Sequence, residues 1–392
     1  MRPFLPVLVT LLAACGGSSK ATTDAPAVPD APPPDSSSGT GACPAQGDPV
    51  ACDDQTGSSR CGMSVPGATQ TIHLQVTGSM FATIGACLYV IPPASACTST
   101  NGDVLELAGS NGESALLPYG SLGSGSPYCL RQLVVAWNSN WADDGLSGNV
   151  LNASQRTQAL IEWVHTYLRT STTTPLCATG NSAGSSELLY QVMHNNGQDL
   201  LDHVQLVSAT PYARFDKGCD LTTPQQNTAV VCSGLPADTQ PEYSFLDGSS
   251  SPQTGPVQLV QMDTHDTNCD VAGHTQTASE TAALQAQSLV TSGFAPMTMS
   301  QTSLSVFMCT NHPNATQGQA VYIFGTDADL ATPDTYTGLL SVQVATPFYG
   351  CAAGTKCVPH IVCDPSCDTE TYAKNNAAAL AADMQANCVA RH

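Results

Sequence analysis

The chain has 392 residues, of which 42% are hydrophobic and only 11% are charged, so it can bury a sizeable core while exposing few ionic groups. Its net charge of -20 argues against nucleic acid as a partner, because phosphates need cationic contacts. The same charge argues against docking on an anionic membrane through a basic patch. Beyond the amino-terminal leader the chain has no apolar run of about 18 residues, so we expect no transmembrane helix there.

The amino terminus indicates an export signal. A short basic start, Met1 to Pro3, precedes an apolar run at 4–14 that is too short to span a bilayer. The run ends Leu12-Ala13-Ala14-Cys15, which resembles the lipobox of bacterial lipoproteins. The resemblance implies removal of residues 1–14 and lipidation of Cys15, with anchoring to the outer membrane or cell surface through that lipid only. The alternative is an ordinary signal peptide with an incidental cysteine.

A linker and a folded domain follow the leader. Residues 15–42 are rich in Pro, Ser, Ala and Asp, which predicts a disordered tether. The folded domain is predicted over 43–392, with an insertion at about 212–255. Of the 17 cysteines, all but Cys15 lie between Cys43 and Cys388. The remaining 16 cysteines are an even number, which predicts several disulfides formed in an oxidising compartment. The sequence leaves their pairing open.

Apolar segments from residue 69 onward predict strands that alternate with helices. The sequence predicts strands at 71–76, 87–91, 104–107, 133–137, 175–179, 204–208, 304–308, 321–324 and 340–344, and helices at 152–168, 185–194 and 371–388. Asn152 or Ser154 could cap the first helix. This alternation predicts an α/β fold with a mainly parallel central sheet flanked by helices.

One motif carries recognisable chemistry. Gly180-Asn181-Ser182-Ala183-Gly184 is the only GxSxG in the chain, and it lies between a predicted strand and a predicted helix. Glycines on both sides of the serine allow the strained turn that lifts a serine hydroxyl above the edge of a sheet. From about residue 69 to its end, the chain here resembles the α/β-hydrolase family, which implies Ser182 as a nucleophile. The alternative is a Gly-rich turn without a nucleophile.

The same resemblance implies an oxyanion hole. One donor would be the backbone N–H of Ala183, directly after the nucleophile. The second would come from the loop after the third predicted strand, at Gly109 or Ser110.

The resemblance also implies the order serine, acid, histidine along the chain. His360 is the first candidate for the base, because it lies in a predicted loop between the strand at 340–344 and the final helix. His312, which follows the predicted strand at 304–308, is the alternative base.

The acid has three candidates. Asp329 lies in a segment that resembles the family's strand–Gly–Asp–Pro turn, and Asp327 is its close rival. A second strand-then-acid pattern, in which the apolar run at 257–261 precedes Asp266, pairs Asp266 with His312 as the base. If the strand at 304–308 is instead the penultimate one, the acid position falls on 310–314, where there is no carboxylate.

These patterns predict an extracytoplasmic serine hydrolase that cleaves small-molecule or polymeric carboxylic esters through an acyl-enzyme. Neither a metal site nor a cofactor motif is visible, so we expect none. The alternative is a non-catalytic, disulfide-rich binding lipoprotein on the same scaffold. A peptidase or an acyltransferase is a third option, and the oligomeric state stays open.

Overall fold

The central feature of the described part of the fold is a mixed sheet of nine strands. The computed structural model describes residues 50–52, 65–109, 112, 129–146, 149–181, 183–195, 197–207, 277–287, 302–309, 357–362 and 376–389. All of these fall within the compact unit formed by residues 33–392. The leader, the tether, the predicted insertion and the predicted strands at 321–324 and 340–344 lie outside the described residues.

The strands follow the spatial order β1-β2-β3-β5-β4-β6-β7-β8-β9. Seven of the nine, β2 and β4 to β9, run in one direction, and β1 and β3 run against them. The sheet is therefore mostly parallel, as predicted, with an antiparallel end. The strand bounds are β1 Val50–Cys52, β2 Gln70–Val76, β3 Ile84–Ile91, β4 Gly102–Leu107, β5 Leu130–Trp137, β6 Leu176–Asn181, β7 His203–Val207, β8 Ser303–Cys309 and β9 Cys357–Val362.

Burial along the strands follows their place in the sheet. Every residue of β4 and β7 is buried, as expected for parallel strands that are covered on both faces. On β2, near the antiparallel end, buried residues alternate with more exposed ones. These two patterns separate the doubly covered centre of the sheet from its half-covered edge.

Helices cover both faces of the sheet. The described helices are α1 Val150–Trp163, which continues as a π-helical turn over Val164–Leu168, α2 Ala183–Met193, α3 Gly197–Leu200, α4 Ala278–Gln287 and α5 Ala377–Cys388. Apolar side chains of α1, α2 and α4 pack with Leu105 and Leu107 of β4 on one face. Met384 and Cys388 of α5 pack with Val104 on the other. Among the described helices, none is long and apolar enough to cross a bilayer.

The cap of α1 differs from the prediction. The helix begins at Val150, and Asn149 Oδ1 accepts hydrogen bonds from the N–H groups of Leu151 and Asn152. Asn152 and Ser154, the predicted caps, lie inside the helix instead. Asn149 has the extended backbone of an N-cap residue, so the helix starts before the apolar periodicity becomes visible in the sequence.

Disulfides connect distant parts of the chain. Cys97 pairs with Cys129, and Cys177 of β6 pairs with Cys388 at the end of α5. Cys87 of β3 is also disulfide-bonded. The predicted oxidised state of the domain is confirmed for these cysteines.

Candidate active site

The topological switch point of the sheet lies between β4 and β6. These parallel strands are hydrogen-bonded neighbours, but β5 lies beyond β4 on one side and β7 lies beyond β6 on the other. Loops leaving the carboxyl ends of such strands diverge and form the crevice in which open α/β sheets bind ligands. The residues after Leu107 and Asn181 therefore lie at the most favourable place for a site in this sheet.

The predicted strand–turn–helix occupies one side of this crevice. β6 ends at Asn181 and α2 begins at Ala183, so only residue 182 separates strand from helix. A Cβ atom added to Gly180 would lie 2.4 Å from the carbonyl carbon of Gly184, which explains the first glycine of the motif. This context of the GxSxG motif is confirmed, whereas Ser182 itself lies outside the described residues.

The second glycine of the motif brings α2 onto β4. A Cβ atom added to Gly184 would lie 2.3 Å from the carbonyl oxygen of Leu107 and 2.8 Å from that of Ala108. Both contacts are with backbone, so no rotation of a side chain could relieve them. The first turn of α2 therefore lies directly against the end of β4, where the loop on the other side of the crevice begins.

Ser185 fixes this helix terminus to the sheet. Its Oγ lies 2.6 Å from the carbonyl oxygen of Gly180 and 2.9 Å from that of Val207, either of which can accept its hydrogen. The same Oγ accepts the N–H of Val207 at 2.9 Å. One buried hydroxyl thus ties α2 to the ends of both β6 and β7.

The other side of the crevice is the post-β4 turn, defined here by Gly109 and Gly112. The N–H of Gly112 donates to the carbonyl oxygen of Gly109 at 3.2 Å, and Gly112 has φ +78°, which favours glycine. Ala183, the predicted first oxyanion donor, is the first residue of α2, where N–H groups lack intrahelical partners. Gly109 and Ala183 thus flank the same crevice, while Ser110 lies outside the described residues.

Two buried glutamates near the switch point were missed by the sequence reasoning. Burial raises the pKa of Glu187 on α2 to about 7, against the hydrogen bonds from Thr157 and Trp137. Burial raises the pKa of Glu106 on β4 to about 8, against the opposing effect of Gln132. The available signal for Glu106 was its place within the apolar run Val104-Leu105-Glu106-Leu107.

His360 lies in a strand rather than in the predicted loop. β9 pairs in parallel with β8, and the register runs from Asn181 through one residue each of β7 and β8 to His360. Three inter-strand spacings of about 4.8 Å place the Cα atoms of Asn181 and His360 roughly 14 Å apart. Pro359 is compatible with this strand, because β9 ends the described sheet and proline is tolerated in edge strands.

The strand order also bears on the acid. Within the described sheet, β8 is the penultimate strand, and it ends at Cys309. The next residues, 310–314, contain no carboxylate, which was the third alternative that the sequence left open. The candidates Asp266, Asp327 and Asp329 lie outside the described residues, as does His312, so their catalytic roles stay predictions.

A buried Ser–His–Asp constellation exists elsewhere, at the amino edge of the sheet. His203 Nδ1 lies 2.6 Å from Ser303 Oγ, and its Nε2 lies 3.3 Å from Asp383 Oδ2 of α5. His203 and Ser303 begin β7 and β8 and are 0% exposed, so no substrate can reach them there. Burial alone would raise the pKa of Asp383, but the hydrogen bond and charge of His203 help to hold it below its ordinary value. This cluster packs α5 on the sheet and is not an active site.

Comparisons with known proteins give distant structural likenesses. No protein-family model matches the chain, and no curated protein matches it. In the described part, no group of three or more His, Cys, Asp or Glu residues could hold a metal ion.

Among solved structures, an esterase of the planctomycete Thermogutta terrifontis is similar at 10% identity and a TM-score of 0.40, covering 82% of this chain and 93% of that one. The carboxylesterase EstE1 from a metagenomic library is similar at 14% identity and a TM-score of 0.42, covering 83% and 91%. Oligopeptidase B from Leishmania major is similar at 10% identity and a TM-score of 0.45; the match covers 80% of this chain but only 36% of the peptidase.

Proposed function

We propose that the chain is an extracytoplasmic serine hydrolase that cleaves carboxylic esters through an acyl-enzyme. The observation that supports this most directly is the steric fit of Gly180 and Gly184 around position 182 at the switch point. In the nucleophile elbow of α/β-hydrolases, a serine between two such glycines is exposed at the carboxyl edge of the sheet, beside the loop that supplies the second oxyanion donor.

The mechanism follows from these positions. Ser182 attacks the ester carbonyl while a histidine takes its proton, and the tetrahedral oxyanion accepts hydrogen bonds from the N–H of Ala183 and from the post-β4 turn. The alcohol leaves with a proton from the same histidine. Water, activated by that histidine, then releases the acid and restores Ser182.

The base is either His360 or His312. The backbone of His360 lies roughly 14 Å from that of Asn181 across three strand spacings. His312 follows β8 along the chain, at the position where the family pattern would have the acid. The carboxylate that orients the base is one of Asp329, Asp327 and Asp266. In either arrangement the substrate is a small-molecule or polymeric ester, and neither a metal nor an organic cofactor takes part.

Labelling of the full mature chain with a fluorophosphonate probe tests the proposal. We expect labelling that is abolished in Ser182→Ala and slowed roughly a thousandfold or more in the variant that lacks the true base. Comparing His360→Ala with His312→Ala assigns that base, and Asn substitutions of the three aspartates assign the acid in the same assay. A folded, oxidised wild type that takes up no label would contradict the proposal.

One observation favours a second candidate function. His360 lies within a strand, and no carboxylate follows β8 closely, so the scaffold departs from the expected triad at two points. A non-catalytic, disulfide-rich lipoprotein that uses the crevice for binding would not need a complete catalytic triad. Unlabelled wild type together with saturable binding of an ester or polysaccharide would support it.

A further inference from the structure

A buried hydrogen bond lies directly behind the switch point. Trp137 Nε1 at the end of β5 donates to Glu187 Oε1 of α2 at 3.0 Å, and the two side chains are 1% and 0% exposed. Thr157 Oγ1 of α1 donates to the same oxygen. Hydrogen bonds to a carboxyl group in such dry surroundings are strong and directional, so this one fixes the indole relative to α2.

The same tryptophan contacts the post-β4 turn. Its backbone N–H donates to the carbonyl oxygen of Gly112 at 2.9 Å. A Cβ atom added to Gly112 would lie 2.9 Å from Trp137 Cδ1 and 3.3 Å from Trp141 Cβ. The residue that closes the turn is therefore in contact with the indole that Glu187 holds.

We propose that Glu187 is a positioning residue that, through Trp137, sets the spacing between the post-β4 turn and the amino terminus of α2. Glu187 belongs to the helix that follows Ser182, so the connection runs from the nucleophile's own helix to the turn that carries the second oxyanion donor. The proposal rests on the proposed function, because that function assigns a donor to the turn. Oxyanion donors stabilise the transition state because their spacing is preorganised. Displacing one donor by a fraction of an ångström weakens its hydrogen bond in the transition state more than in the ground state.

Three substitutions in the full chain separate positioning from packing. Glu187→Leu removes the acceptor, Trp137→Phe removes the donor but keeps an aromatic ring, and Glu187→Gln keeps an oxygen that can accept the indole N–H. With p-nitrophenyl acetate as the substrate, we expect the first two to lower kcat roughly tenfold or more while KM changes by less than about twofold. Glu187→Gln should stay within about threefold of the wild type, because its amide oxygen restores the contact.

The double variant tests whether the two residues act together. If Glu187 works through Trp137, combining Glu187→Leu with Trp137→Phe should lower kcat no further than the slower single variant does. Multiplication of the two single effects would show independent roles and overturn the proposal.

Tyr190→Phe is the matched control. Tyr190 is a buried residue of the same helix, and its hydroxyl donates to the carbonyl oxygen of Gln287 at 2.8 Å, on α4 rather than toward the turn. We expect this variant to lose stability to a similar extent as Glu187→Leu and to keep kcat within about twofold. An equal loss of kcat in Tyr190→Phe would mean that any weakening of α2 suffices.

Amide hydrogen exchange supplies a readout that does not depend on activity. Each variant is measured at a temperature equally far below its own melting temperature. Under these conditions the peptide that contains residues 108–112 should exchange its amide hydrogens at least about fivefold faster in Glu187→Leu than in Tyr190→Phe. Equal exchange in the two variants would overturn the positioning role. A wild type without any Ser182-dependent activity would instead contradict the proposed function, and the exchange comparison would still decide whether Glu187 fixes the turn.

Discussion

Gly184 allows the elbow helix to rest on the backbone of β4, and one added methyl group tests that contact. In Gly184→Ala the new Cβ would meet the carbonyl oxygen of Leu107, within a central strand that has no room to move. We expect a loss of about 1–3 kcal/mol in the free energy of unfolding, together with slower fluorophosphonate labelling. Urea denaturation followed by circular dichroism measures the first effect.

Gly102→Ala is the control for this substitution. Gly102 lies on β4, and its new Cβ would meet side chains rather than backbone, Leu130 Cδ2 at 3.1 Å and Cys388 Sγ at 3.3 Å. The two variants should therefore differ clearly. Equal effects would mean that the GxSxG glycines have no special steric role.

The buried carboxyl groups of Glu106 and Glu187 make stability depend on pH. Their folded-state pKa values of about 8 and about 7 lie above the ordinary value of 4.5. The folded state binds their protons more tightly, so their effect leaves stability highest below about pH 4.5 and lowers it as pH rises through 7 and 8. Each tenfold change in proton affinity corresponds to about 1.4 kcal/mol.

Urea unfolding at pH 5.5 and pH 8.5 measures this dependence. Glu106→Gln and Glu187→Gln should each flatten it, because neither amide ionises. Asp383 has the opposite shift, and its contribution is lost only as pH falls below its ordinary pKa of 3.8, outside this window. A slope unchanged in both Gln variants would show that other groups determine it.

At the scale of elements, α5 is held to the sheet by both covalent and polar contacts. The Cys177–Cys388 disulfide closes a sequence separation of 211, whereas Cys97–Cys129 closes 32. A disulfide that closes a longer loop restricts the unfolded chain more. Replacing Cys177 and Cys388 by alanines should therefore lower the free energy of unfolding by about 1–2 kcal/mol more than replacing Cys97 and Cys129. Guanidinium unfolding of the two double variants compares them, and an equal or reversed order would contradict this expectation.

The sequence predicted the centre of the sheet better than its edges. The strands β2 to β8 and the helix α2 lie close to their predicted positions, because continuous or alternating apolar runs bounded by turns reveal them. β9 was predicted as a loop, whereas the structure has a strand over Cys357–Val362, and its Pro359 is tolerated because β9 ends the described sheet. The short strand β1 was missed altogether.

The candidate site was predictable only where it depends on local sequence. The two glycines of the GxSxG motif stand where close backbone contacts leave no room for a side chain, so five residues were enough to predict the strand–turn–helix. The contact between Glu187 and Trp137 joins residues far apart in the chain, so no local sequence pattern predicts it. The base and acid depend on which strand is penultimate, which follows from sheet order rather than from spacing along the chain.

At the scale of the whole molecule, the proposed anchor makes a prediction about location. Cys15 is the only cysteine before Cys43, so Cys15→Ser removes the proposed lipidation site without disturbing the cysteines of the domain. In a bacterial host we expect the wild type to partition with the membrane fraction and to incorporate labelled fatty acid, and Cys15→Ser to do neither. Membrane retention of the variant would contradict anchoring through this residue alone.

The bond between Cys177 and Cys388 also constrains the order of biosynthesis. Cys177 of β6 is synthesised 211 residues before its partner, Cys388. Cys177 therefore cannot form this bond until the intervening chain, which includes β7, β8 and β9, has been made. The strand that leads into the motif can therefore be cross-linked to α5 only after the later strands of the described sheet exist, and a chain interrupted before Cys388 would leave the thiol of Cys177 able to pair with other cysteines.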